Sequence, residues 1–133
     1  MIKNKHRQFF KGIVESASKM SHDKKLQVGA LLVKNGRIVT TGYNGQPAGI
    51  EIPKIEENGH DITTIHAEMN CLLFAARNGI STEDCEIVVS HYPCLHCTKH
   101  LIQAGIKRIY YIEGYKNDDN IFADFIKIER LIE

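Results

Sequence analysis

The sequence has few cysteines, no long apolar run and almost no net charge. Its four cysteines could form at most two disulfides, and no secretory signal precedes the first predicted helix, so we do not expect a disulfide-stapled secreted domain. No apolar stretch approaches the ~20 residues that a transmembrane helix needs. The formal charge is +1, with lysines and acids interspersed, so no basic face for nucleic acid is expected. These absences predict a cytoplasmic protein that binds neither membrane nor nucleic acid.

Length and composition are those of an ordinary globular domain. The 133 residues are 43% hydrophobic and 25% charged, which is enough for a real core. Two of the cysteines are expected to pack rather than react, because Cys71 lies in an apolar run and Cys85 lies at the edge of a predicted strand. We predict one domain over residues 1–133.

Two short stretches carry the candidate chemistry: residues 64–68 (TIHAE) and 92–97 (YPCLHC). Each has the pattern of the first turn of a helix. Cys94 and Cys97 are three apart, so both can reach one ion from the same helix face, and a helix N-terminus lowers thiol pKa. With His66 they supply three ligands for Zn²⁺ and leave the fourth position to water, the pattern of a catalytic zinc site.

The presence of Glu68 distinguishes a hydrolytic zinc site from a structural zinc site. A structural zinc site has no use for a non-ligating carboxylate beside its histidine, whereas a hydrolytic site needs one to move protons between water, substrate and leaving group. We therefore predict that Glu68 is catalytic. The alternative is a structural zinc knot with His91 or His96 as fourth ligand, which leaves Glu68 without a role.

The first half of the chain predicts a helix and a hairpin. Residues 1–20 have helical apolar spacing, and residues 26–33 and 37–43 read as strands joined by an Asn35-Gly36 turn. Residues 43–49 form a glycine-rich loop, either a plain turn or a place where a ligand lies close to backbone and to the Asn44 amide. Residues 50–62 are predicted to be an irregular surface insertion.

The second half alternates helix and strand. We expect a helix over the first metal stretch, capped by Thr63 or Thr64 and ending near Asn78-Gly79. Its inward positions are predicted to be Met69, Leu72, Leu73 and Ala76. Further elements are expected at 86–90 (strand), from Cys94 to about 105 (helix), at 107–112 (strand), 121–126 (helix) and 129–132 (strand). This order predicts an α/β fold, a three-layer α/β/α sandwich around a mixed five-stranded sheet.

Several segments together resemble one known family: Ser21-His22-Asp23, 27–30 (QVGA), 42–47 (GYNGQP), 66–70 (HAEMN), 93–97 (PCLHC) and 102–107 (IQAGIK). They resemble the cytidine deaminase superfamily and, within it, the deoxycytidylate (dCMP) deaminases. The resemblance implies zinc-dependent hydrolysis of dCMP to dUMP and ammonia. Deamination of another cytosine or adenine compound, or a non-catalytic zinc-stabilised nucleotide-binding protein, are the alternatives.

The resemblance also implies roles for residues around the base. Asn44 would hold the sugar or its phosphate. The Ala67 N–H would bind the pyrimidine carbonyl, and the Ser90 carbonyl would accept from the 4-amino group. Tyr92 and Tyr115 would form walls of the base and phosphate pocket.

Phosphate or effector contacts are predicted at Lys24, Lys25, Gly45 and Lys116, which lie on predicted loops. The resemblance further implies a homo-oligomer, with a hexamer favoured. It also implies dCTP and dTTP as effectors, with Mg²⁺ accompanying the triphosphate.

Overall fold

The computed structural model describes all 133 residues and has a mixed five-stranded sheet at its centre. Its helices are α1 (Asn4–Ser18), α2 (Ala67–Arg77) and α3 (Leu95–Gln103), with a 3-10 helix at Ile121–Asp124. Its strands are β1 (Gly29–Lys34), β2 (Arg37–Tyr43), β3 (Glu56–Glu57), β4 (His60–Asp61), β5 (Glu86–His91), β6 (Arg108–Glu113) and β7 (Lys127–Arg130). The order across the sheet is β2-β1-β5-β6-β7.

The sheet is covered on both faces, as the predicted three-layer sandwich requires. Side chains alternate across β1, so Leu31 and Val33 pack with Phe10 and Val14 of α1. Ala30 and Leu32 point to the other face, where they pack in one cluster with residues of α2 and α3. The predicted α/β/α architecture around a mixed five-stranded sheet is confirmed.

The topology brings the two predicted metal stretches to one edge of the sheet. β1 runs antiparallel to both β2 and β5, with Gly29 opposite Tyr43 and Ala30 opposite Val89. The carboxyl ends of β2 and β5 therefore lie at the same edge of the sheet, on the two sides of the start of β1. The chain leaves β2 toward α2 and leaves β5 directly into α3, so both helices begin at this edge.

Gly42 sets how closely α2 approaches the sheet. A Cβ at this position would lie 2.7 Å from the Ala67 carbonyl oxygen and 3.0 Å from both the backbone nitrogen and Sγ of Cys71. Only a residue without a side chain allows that contact. The first turn of α2 is therefore seated directly on β2.

Two Asn-Gly turns shape the hairpins. The predicted turn at Asn35-Gly36 is confirmed, with φ of 52° and 78°, the left-handed pair of a type I′ turn. The segment predicted to be irregular contains a second such turn, because Asn58 and Gly59 have φ of 52° and 79° and join β3 to β4. Residues 56–61 form a short hairpin, so the prediction of irregular structure over residues 50–62 was wrong for that part of the segment.

Two details of α2 also differ from the sequence prediction. His66 occupies the N-cap position, and the hydroxyls of Thr63 and Thr64 donate to Asp61 instead of capping the helix. The helix buries Ala67, Glu68, Cys71, Leu72 and Ala75. Leu73 is 49% exposed, because the contact at Gly42 turns the Cys71 side of the helix toward the sheet.

In the whole structure, no helix combines the length and apolar character that crossing a membrane requires.

Candidate metal and substrate site

The three predicted metal ligands lie together at the edge where α2 and α3 begin. His66 precedes the first residue of α2, Cys94 precedes the first residue of α3, and Cys97 lies in the first turn of α3. His66 Nδ1 is 3.3 Å from the Cys97 Sγ and 3.6 Å from the Cys94 Sγ. The three donor atoms all lie within 4.8 Å of one another. No other residue joins this group, so the structure does not place His91 or His96 as a fourth ligand.

These distances fit a tetrahedral zinc ion. Zinc binds histidine nitrogen at about 2.0 Å and cysteine sulfur at about 2.3 Å, which puts the two ligand atoms about 3.5 Å apart in a tetrahedron. The observed nitrogen–sulfur separations of 3.3 and 3.6 Å match that value. One imidazole and two thiols are also a donor set that zinc prefers. The residues present therefore fit Zn²⁺ with one coordination position open.

The pKa values of the two neighbouring thiols are shifted in opposite directions. Hydrogen bonding from Cys97, with further support from His66, lowers the pKa of Cys94 to about 3. The neighbouring Cys94 sulfur raises the pKa of Cys97, and burial adds to the effect. Metal binding replaces thiol protons because thiolates are the ligating form. His66 has a raised pKa because its ring hydrogen-bonds to Cys94.

Glu68 is the second residue of α2 and is almost completely buried, with 4% of its surface exposed. Burial raises the pKa of its carboxyl group above the usual value, because desolvation disfavours the charged form. A carboxyl group in such surroundings accepts a proton more readily than an exposed one. Its position beside the candidate metal ligands is the one that the sequence predicted.

A cavity of about 700 Å³ opens in front of the metal ligands. Its lining includes His66, Glu68 and Cys94, and it includes five other residues predicted to contact substrate or phosphate: Lys24, Lys25, Asn44, Ala67 and Tyr92. A larger cavity of about 920 Å³ lies beside α1 but contains none of the metal ligands. We place the chemistry in the smaller cavity because the reactive groups line it.

The backbone N–H of Ala67 is free to bind a ligand. It donates to no protein acceptor, which is expected at the first residue of a helix. Asn44, in contrast, already uses its side chain within the protein: its Oδ1 accepts from the Val28 N–H and its Nδ2 donates to the Leu26 carbonyl, both at 2.9 Å. The Asn44 amide thus holds the wall of the cavity and keeps only part of its capacity for a sugar or phosphate.

Ser90 and Tyr92 lie on either side of His91 at the end of β5. The Ser90 hydroxyl oxygen accepts from the Gly29 N–H at 3.0 Å and lies 2.9 Å from His91 Nδ1, so this side chain is structural. Tyr92 packs edge-on against Tyr111, with ring centroids 5.0 Å apart, and lines the cavity.

Ser90 lines the larger cavity instead, and three further predicted contacts also lie outside the smaller one. Tyr115 is 84% exposed and stacks against Arg130, whose guanidinium carbon is 5.6 Å from the ring centroid. Lys116 pairs with Asp124 at 3.5 Å. Gly45 uses both backbone groups in a bridge to Ile65, with bonds of 3.1 and 2.8 Å. The substrate roles of these residues remain predictions.

The lining of the cavity also contains residues for which the sequence predicted no substrate contact: His22, Asp23, Lys54, His60, Asp61 and His91. Lys54 pairs with Asp23 at 2.9 Å, and Lys25 pairs with Glu56 at 3.0 Å, so the loop after α1 is tied to the β3–β4 hairpin. The Asn58-Gly59 dipeptide was the sequence signal for this hairpin. Lys24 is the lysine of the cavity that forms no ion pair.

Known proteins share this arrangement. Residues 3–113 match the sequence profile described as the cytidine and deoxycytidylate deaminase zinc-binding region. The chain is 45% identical over 96 residues to ComE operon protein 2 of Bacillus subtilis, a match that covers 69% of this chain and 51% of that protein. It is 33% identical over 143 residues to the deoxycytidylate deaminase of Enterobacteria phage T2, with 76% of each chain covered.

A solved structure agrees over almost the whole chain. The dCMP deaminase of cyanophage S-TIM5, in complex with dCMP and dUMP, superposes with a TM-score of 0.85 at 32% identity. The match covers 98% of this chain and 99% of that one. Fold and site thus define a deaminase of the zinc-binding class. More particularly, the chain belongs to the cytidine and deoxycytidylate deaminase family, as its sequence motifs predicted.

Proposed function

We propose that this protein catalyses the hydrolytic deamination of dCMP to dUMP and ammonia. The observation that carries the proposal is the buried carboxyl group of Glu68 beside the group formed by His66, Cys94 and Cys97, at the inner end of a cavity of about 700 Å³. The deoxycytidylate deaminases among its relatives and the dCMP-bound cyanophage enzyme support the choice of substrate.

His66, Cys94 and Cys97 would hold the zinc ion. A zinc ion held by them would supply the nucleophile, because zinc lowers the pKa of a bound water to ~7. The two thiolates balance the charge of the ion, and the imidazole leaves the site neutral overall. The chain offers three ligands and no fourth, so one position stays available to water.

Glu68 moves the protons of the reaction. It accepts one proton from the water that attacks C4 of the cytosine ring and donates it to N3. It then takes the second proton from the resulting C4 hydroxyl group and gives it to the departing amine. Burial raises the pKa of the carboxyl group, which favours its protonated form and hence its uptake of the proton from water. Atoms balance, because water adds at C4 and ammonia leaves from the same carbon.

Backbone groups orient the base. The free N–H of Ala67 binds the pyrimidine carbonyl, and the Ser90 carbonyl accepts from the 4-amino group. Tyr92, held by Tyr111, forms a wall of the base pocket. Asn44 positions the loop against which the sugar lies, because its amide joins Leu26 and Val28.

Turnover of a nucleotide panel by the zinc-loaded protein tests the proposal. We expect ammonia release with kcat/KM highest for dCMP and lower for CMP and deoxycytidine. Equal values for dCMP and deoxycytidine would contradict the nucleotide assignment. Turnover confined to an adenine nucleotide would favour the other deaminase activity. A zinc-loaded protein that releases no ammonia from any member would be a non-catalytic binder.

The family resemblance is also the basis for proposals about assembly and regulation. We propose that residues 1–133 form one domain that assembles as a homo-oligomer, with a hexamer favoured. Leu73 and Phe74 of α2, which are 49% and 53% exposed, support an apolar contact surface. dCTP and dTTP, with Mg²⁺, are the proposed effectors near residues 43–49. Light scattering with and without each triphosphate measures the assembly.

A further inference from the structure

A buried asparagine in the segment that follows β6 contacts the candidate metal site. Residues 114–119 are all exposed, but Asn120, which follows them, is only 4% exposed. Its Nδ2 donates to the Thr98 hydroxyl oxygen at 2.8 Å and to the Pro93 carbonyl oxygen at 3.3 Å. Both partners belong to the segment that carries the two cysteines, residues 93–98, which we call the metal turn.

Thr98 connects Asn120 to Cys94 by hydrogen bonds. It is fully buried, and its hydroxyl donates to the Cys94 carbonyl oxygen at 2.9 Å. Threonine side chains in helices commonly bond back to the preceding turn, and that bond alone needs no partner from outside the helix. Here the hydroxyl oxygen also accepts from Asn120. The single donor and an acceptor site of the hydroxyl are thus both in use.

The two carbonyls that are held in this way flank Cys94. The Pro93 carbonyl belongs to the peptide group before Cys94, and the Cys94 carbonyl belongs to the peptide group after it. Fixing both peptide groups fixes the direction of the Cys94 side chain, whose Sγ also accepts from the Cys97 N–H at 3.4 Å. Groups that hold metal ligands in this way set metal affinity, and their loss costs about 10–100-fold.

We infer that Asn120 is a positioning residue for the metal turn, acting through Thr98 and Pro93 to hold the Cys94 thiol in the geometry that a metal needs. The inference rests on the zinc site of the proposed function. The Oδ1 of Asn120 is buried and has no hydrogen-bond partner, so the side chain acts entirely through its N–H donors. A carboxylate of the same size at this position has no such donor and faces the Pro93 carbonyl.

Zinc release to a chromogenic chelator tests the inference at a temperature well below unfolding. Asn120→Asp removes the donors, and Thr98→Val removes the hydroxyl at nearly constant volume. Thr98→Ser keeps the hydroxyl and is the matched control for the second variant. Asn117→Asp places a carboxylate in the same exposed loop and keeps the Oδ1 that accepts from the Asp119 N–H, so it is the control for the first.

We expect Asn120→Asp and Thr98→Val to release zinc about 10–100-fold faster than the unchanged protein. Thr98→Ser and Asn117→Asp should stay within a few-fold of it. Because both residues act in one chain of hydrogen bonds, the double variant should release zinc little faster than the faster single variant. If Asn120→Asp does not fold, Thr98→Val against Thr98→Ser makes the same comparison.

The inference is overturned if the two test variants release zinc at the unchanged rate, or if Thr98→Ser is as fast as Thr98→Val. The same holds if the release rates only follow a lowered unfolding temperature, since that is a purely structural effect. Failure of the proposed function looks different: the unchanged protein would then hold no zinc, or would hold zinc and deaminate nothing.

Discussion

At the scale of single residues, the proposed chemistry depends on a carboxyl group that is buried and lies beside the candidate metal ligands. Replacing Glu68 by glutamine keeps the size and the burial but removes the ability to carry a proton. We expect Glu68→Gln to bind zinc and nucleotide normally and to lose turnover by at least ~10²–10⁴-fold, the range for general acid–base catalysis. Elemental analysis and steady-state rates measure the two properties separately.

The matched control is Glu57→Gln, an equal change at an exposed position outside the cavity. It should leave the rate unchanged. A rate for Glu68→Gln within a few-fold of the unchanged protein would show that another group moves the protons.

A second prediction concerns the thiols. Cys94→Ala and Cys97→Ala each remove one of three ligands, so we expect loss of bound zinc and a lower unfolding temperature, because metal binding is coupled to folding. Cys85→Ala is the control, since Cys85 is buried but lies outside the metal group. Full zinc occupancy in either test variant would remove that cysteine from the ligand set.

The sequence was sufficient to predict the candidate metal ligands but not their surroundings. His66, Cys94 and Cys97 could be identified because helical spacing and ligand chemistry restrict the choice. The Lys54–Asp23 pair could not, because its residues are 31 apart in the chain and meet only through folding. Tyr115 was expected in the pocket but stacks on Arg130, a contact that no local pattern predicts.

At the scale of elements, the position of α2 relative to β2 decides where His66 and Glu68 lie. Gly42→Ala would drive a methyl group to 2.7 Å from the Ala67 carbonyl oxygen, so the helix must move away. Overpacking of this kind costs about 1–3 kcal/mol. We expect lower stability and a lower kcat with zinc still bound.

Gly12→Ala is the control for this prediction. Gly12 lies in α1, and an added Cβ would meet nothing within 4 Å. Alanine in an exposed helix position is favoured over glycine by about 0.5–1 kcal/mol. Chemical denaturation should therefore move the two variants in opposite directions. A Gly42→Ala protein with unchanged stability and rate would contradict the proposed tight seating of α2.

Sequence patterns predicted some turns and helix ends correctly and missed others. The Asn-Gly signal was used at 35–36, where apolar strands flank it, but not at 58–59, where the strands are two residues long and polar. The N-cap of α2 was assigned to a threonine by propensity, but the helix begins only at Ala67, so His66 takes the N-cap position and both threonine hydroxyls donate to the Asp61 carboxylate. A rule based on residue type does not fix the residue at which a helix begins.

At the scale of the whole molecule, nearly balanced charge makes phosphate recognition a local matter. The net charge is +1, so long-range steering of an anionic substrate is weak. Around the cavity, Lys25 and Lys54 are already paired with Glu56 and Asp23. Lys24 is left as the lysine that can pair with a phosphate without breaking an existing ion pair.

We therefore predict that Lys24→Gln weakens turnover of dCMP and leaves turnover of deoxycytidine unchanged. A hydrogen bond to a charged group contributes about 1.5–3 kcal/mol, and the exposed position of Lys24 favours the lower end. The expected loss in kcat/KM for dCMP is thus about tenfold, and added salt should shrink it because the charge is screened. Lys99→Gln, an exposed lysine of α3 that does not line the cavity, should change neither substrate. Equal losses with dCMP and deoxycytidine would mean that Lys24 supports the loop rather than the phosphate.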